Sequence, residues 1–142
     1  MLTNTEMLNC IFRNVQMGTD SVNAILPDVK DENMRGDLFV QLREYGALAR
    51  RAEELLANEG ESAKDNNIFK KAMTETMAKL NSMKDPSSSH IAEMMINGAT
   101  MGVIDMTRRL REYGAQSEAI DTLGRDVVKF EENTVTKMKN YL

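Results

Sequence analysis

The sequence predicts an all-α fold: a four-helix bundle built from two helical hairpins, with an additional short helix in the crossover between them. Three observations carry that prediction. Met17-Gly18 recurs as Met101-Gly102, each pair midway along a helix-patterned stretch. With the pairs matched, Leu8, Ile11, Phe12, Val15, Thr19, Val22 and Leu26 fall on Ala92, Met95, Ile96, Ala99, Val103, Met106 and Leu110, nearly all apolar or small. Proline occurs only at Pro27 and Pro86, and no stretch sustains the period-two alternation of a strand.

The first helix is expected to start at Thr3. Thr3-Asn4-Thr5-Glu6 reads as a capping box, in which the hydroxyl takes an orphan N–H and Glu6 reaches back. Leu8, Ile11, Val15, Gly18, Val22 and Ile25 form its stripe, and Pro27 sits near its end. The second helix should run from about Asp31 to Ala57, with Leu38, Leu42, Tyr45, Leu48, Ala52 and Leu56 inward and Asn58-Glu59-Gly60 as its stop. Residues 61–67 read as a loop. A shorter amphipathic helix with Ile68, Phe69, Ala72, Met73, Met77, Leu80 and Met83 should lie in the crossover. Asp85-Pro86 reads as the opening of the third long helix, which Gly114 ends after Tyr113. Ser117 caps the fourth, whose stripe is Ile120, Leu123, Val127, Phe130, Thr134, Met138 and Tyr141. The third helix carries more apolar residues than one stripe needs. Met94, Met101 and Ile104 point away from the repeat-matched side, so a second covering surface is expected there, from the crossover helix, another subunit or both.

A chain of 142 residues fits one domain, spanning 1–142. Aromatic residues make up only 5%, with no Trp, so the core must be built from aliphatic side chains and methionine, of which there are twelve. Net charge is −4 with both signs interleaved, and no basic face suggests nucleic acid. The densest basic cluster, Arg108, Arg109 and Arg111, suits the C-terminal turn of a helix. One cysteine, Cys10, rules out an internal disulfide and suits a reducing compartment. No basic segment followed by an apolar run marks a signal peptide near Met1, and no run approaches membrane-spanning length. A cytoplasmic location without membrane contact is therefore expected.

Met7-Leu8-Asn9, Gln16-Met17-Gly18, His90-Ile91-Ala92-Glu93-Met94, Met101-Gly102-Val103-Ile104-Asp105 and Lys129-Phe130-Glu131-Glu132-Asn133 carry a resemblance that covers most of the chain. On these residues the chain resembles the ferritin-like superfamily, and more closely a group of small, uncharacterised helical-bundle proteins from Firmicutes. The resemblance implies a ferritin-like four-helix bundle and no particular activity.

Di-metal enzymes on that fold place a Glu on each of two helices and Glu-x-x-His on the other two. This sequence lacks the pattern. Glu44, Glu53, Glu54, Glu131 and Glu132 are followed three residues on by Ala47, Leu56, Ala57, Thr134 and Val135, and Gly18 and Gly102 stand mid-stripe on the first and third helices. The remaining candidate metal ligands are His90 with Glu93, which share a helix start, and Asp105 with Glu131, near the inner stripes. The bland alternatives are a solvated helix N-terminus and a structural polar pair, for which Gln16, Tyr45, Arg108 and Lys129 are available partners. Gly18 and Gly102 are read as helix-contact positions, because glycine in mid-helix costs about 1 kcal/mol against alanine and a close contact could offset that cost. Arg43-Glu44-Tyr45-Gly46-Ala47 recurs as Arg111-Glu112-Tyr113-Gly114-Ala115, out of register with the Met-Gly repeat, and is read as coincidence. No phosphate-binding loop or dinucleotide fingerprint occurs. The expectation is a non-enzymatic bundle without a cofactor that acts by association, as a homodimer first of all, through Met94, Met101 and Ile104. The alternative is a cryptic metal-binding protein with an incomplete ligand set.

Overall fold

The computed structural model describes residues 1–63 and 87–142. Within them the chain forms four long α-helices and no strand: α1 (Asn4–Ile25), α2 (Glu32–Asn58), α3 (Ser88–Tyr113) and α4 (Glu118–Met138). The all-α expectation holds. The short crossover helix expected over residues 68–83 lies outside the described residues.

Local chemistry sets the ends. Thr3 and Glu6 form the capping box, with Thr3 Oγ1 accepting from the Glu6 N–H and Glu6 Oε2 from the Thr3 N–H, both at 3.1 Å. Pro27 is accommodated in a 3₁₀ turn, Leu26–Asp28, that follows α1. Asp31 caps α2 through the Met34 N–H at 2.8 Å. The expected opening of α3 needs correction: Ser87, not Asp85, caps it, its hydroxyl accepting from the His90 N–H at 3.2 Å. Asp85 and Pro86 lie outside the described residues. The fourth helix stops at Met138, and its last turn to Tyr141 tightens into a 3₁₀ turn.

Gly114 ends α3 in the left-handed conformation, at φ +67°, and Ala115 follows at φ +51°. A Cβ is disfavoured in that region, by about 1–2 kcal/mol per residue. Gly114→Ala should therefore lower stability by about 1 kcal/mol and Ala115→Gly should raise it by up to ~1 kcal/mol, a pair of opposite shifts readable by thermal unfolding.

Contacts between helices fix the topology. On the α1/α3 side, the Leu2 N–H donates to Glu112 O at 3.2 Å and Tyr113 OH to Asn4 Oδ1 at 2.6 Å, so these helices are antiparallel. On the α2/α4 side, Arg51 meets Asp126 at 2.9 Å and Tyr141 OH donates to Asp37 Oδ2 at 2.6 Å, which is again antiparallel. Asn4 Nδ2 donates to Glu59 Oε1 at 3.0 Å, which sets the end of α2 beside the start of α1. It follows that α2 and α3 run parallel, on one diagonal of the bundle, and that the chain between them joins opposite ends. A helix of 27 residues such as α2 spans about 40 Å.

The predicted stripes meet in one core. Leu8, Ile11, Val15, Val22 and Ile25 of α1 pack with Leu38, Tyr45, Leu48, Ala52 and Leu56 of α2, Ala92, Met95 and Met106 of α3, and Ile120, Leu123, Val127 and Met138 of α4. Met7, Met34, Met95, Met106 and Met138 are all buried, so methionine serves as core filler here. On α3, Met94 is half-buried against this core, whereas Met101 and Ile104 stay 70% and 47% exposed.

Candidate functional site

The two repeat glycines open the centre of the bundle. A Cβ on Gly18 would lie 2.3 Å from Cζ of Tyr45, and one on Gly102 would lie 2.3 Å from Oε2 of Glu131. The contact expected at these positions therefore takes a specific form. Each glycine makes room for a side chain from the second helix of its own hairpin. The two incoming side chains then meet, Tyr45 OH donating to Glu131 Oε2 at 3.3 Å. Phe130 stands edge-on to the Tyr45 ring, with centroids 4.8 Å apart at 84°. Across the α1/α3 contact, Asn14 Nδ2 donates to the Gly102 carbonyl at 3.1 Å.

Glu131 is 3% exposed. Removal from water disfavours its anion and is the main reason its pKa rises from 4.5 to about 8. The negative charge of Asp105 adds to the rise, while hydrogen bonds from Tyr45 and Asn14 oppose it. At neutral pH the group is a carboxylic acid. The Tyr45 phenol is likewise held well above its ordinary value, by burial first and by Glu131 second. Around this pair, five buried polar atoms have no hydrogen-bond partner among the described residues: Asn14 Oδ1, both polar atoms of the Gln41 amide, Glu131 Oε1 and Thr134 Oγ1.

The four candidate ligands occupy three separate places. His90 Nδ1 and Glu93 Oε2 are 3.8 Å apart on the exposed first turns of α3. Asp105 is half exposed and paired with Arg109 at 3.5 Å. Glu131 is inside, with Tyr45. Among the described residues no three His, Cys, Asp or Glu side chains gather as an ion would require. Of the partners anticipated for the carboxylates, Tyr45 meets Glu131, whereas Gln16 donates to Asp20 on its own helix at 3.0 Å.

Sequence reasoning missed Asn14 and Gln41, whereas Thr134 stands on the stripe expected of the fourth helix and is buried. Spacing could have found Gln41. It sits between Leu38 and Tyr45 on the buried face of α2, where the apolar alphabet selects its half-buried neighbour Leu42 instead.

The chain matches no family model, no curated protein and no solved structure. No helix among the described residues is long and apolar enough to cross a membrane.

Proposed function

We propose that this chain is a non-enzymatic bundle of ferritin-like topology that acts by associating with a second copy of itself. The observation that carries the reading is the outer face of α3, where Met101 and Ile104, one turn apart, are 70% and 47% exposed. Apolar side chains of this size left bare side by side favour contact with another surface. Two further features support it. Antiparallel neighbours with a parallel α2/α3 diagonal are the arrangement of ferritin-like bundles with one long crossover. The chemistry-bearing centre is also inside the bundle, since Tyr45, Gln41, Glu131 and Thr134 are all buried. A metal-binding role finds less support, because the candidate ligands do not converge.

Size-exclusion chromatography with light scattering tests the reading. A dimer is expected at micromolar concentration, and Met101→Glu should convert it to monomer by burying a charge in the contact. A wild-type monomer under those conditions would overturn the proposal, and a Met101→Glu dimer would reject this face.

A further inference from the structure

We propose that Glu131 is a proton-controlled clamp between the two hairpins: protonated, it seals the centre of the bundle, and ionised, it lets the hairpins part at that level while the ends stay joined. The inference is independent of the association reading. The carboxyl of α4 lies where all four helices meet. It accepts from Tyr45 of α2 and fills the space that Gly102 of α3 leaves. Facing it are Asn14 on α1, Tyr45 on α2 and Gly102 on α3; Gln41 lies one turn before Tyr45 on the buried face of α2, and Thr134 one turn along Glu131's own helix. None of these is a cation. Among the described residues, the one charged group that acts on it is Asp105, an anion turned toward Arg109 outside.

An ionised Glu131 thus gains a charge with nothing positive among the described residues to meet it, and the relief available is water, which must enter between the hairpins. The ends resist opening. Tyr113–Asn4 holds one, Tyr141–Asp37 the other, and neither involves Glu131. The orphaned polar atoms of Asn14, Gln41 and Thr134 lower the cost of hydrating this layer, because they gain partners when water arrives.

Native-state hydrogen exchange between pH 6 and 8, corrected for intrinsic rates, tests the clamp, together with carbon-detected NMR of the side-chain carboxyls. Protection of the central α4 amides, residues 127–134, should fall by up to about tenfold per pH unit, the limit for one linked proton. Amides near Tyr113 should hold their protection, and Glu131→Gln should abolish the pH dependence. An equal fall in Glu131→Gln, or a uniform loss along the chain, would overturn the proposal. The NMR titration needs no variant: a Glu131 carboxyl that titrates near its ordinary value of 4.5 would overturn it as well.

Discussion

Gly18→Ala should destabilise the protein by about 2 kcal/mol, even though alanine is the better helix former by about 1 kcal/mol. The new methyl would lie 2.3 Å from Cζ and 2.6 Å from both Cε1 and the hydroxyl of Tyr45. That ring cannot swing clear. It is buried, Phe130 stands against it, and its hydroxyl is held by Glu131. Either the ring leaves its rotamer or α1 moves away from α2, and both forms of overpacking typically cost ~1–3 kcal/mol. Gly98→Ala and Gly36→Ala are the controls. Both glycines lie inside helices, with no described residue within 4 Å of an added Cβ, so the same change should stabilise by about 0.5–1 kcal/mol. Gly102→Ala should fall between, since its clash is with the carboxylate end of a longer side chain. Urea midpoints of the four variants decide the matter. If Gly18→Ala moves with the controls, the ring does not depend on the glycine. Tyr45→Leu should recover part of the Gly18→Ala loss, as expected for residues in contact.

The helices were legible in the sequence because capping and apolar spacing are local signals. Thr3, Glu6 and Asp31 act where their chemistry says they should. Ser87 shows the limit: it follows Asp85 and Pro86, and local preference alone does not choose between neighbouring capping residues. The repeated Arg-Glu-Tyr-Gly-Ala segment shows another. In α2 the helix runs on through Gly46 because Leu48, Ala52 and Leu56 continue the buried face, whereas no such stripe follows Gly114 and the chain turns. The repeated glycines stand where Tyr45 and Glu131 enter, yet those two occupants are harder to read from sequence. Glu131 lies at the buried spacing Val127, Glu131, Thr134 and Met138, but a purely apolar stripe counts Phe130 in its place, although Phe130 is only half-buried. Its burial depends on Gly102, on another helix, and that pairing exists only in the fold. Asp105 looked equivalent in sequence, and it faces out because Met106 is the residue that α3 buries there.

The pH dependence of stability should reverse the usual carboxylate behaviour at Glu131. Below pH 4.5 the group is protonated in both the folded and the unfolded chain, and its contribution to stability is fully present. Between 4.5 and about 8 the unfolded chain has released the proton that the folded chain still holds, so stability falls as pH rises. The slope from this one group approaches ~1.4 kcal/mol per pH unit and flattens once the folded carboxyl ionises. Glu131→Gln removes the titration while keeping an amide that can accept from Tyr45. Other groups titrate in both proteins and cancel in the difference. The variant should therefore be close to wild type at pH 5 and several kcal/mol more stable by pH 8, with the gap read from urea unfolding at each pH. A gap that stays constant from pH 5 to 8 would mean that Glu131 is ionised in the fold. The same measurement bears on metal chemistry. A cation needs the anionic carboxylate, so any ion entering this centre near neutral pH must first displace a proton, and the widening gap measures how tightly that proton is held.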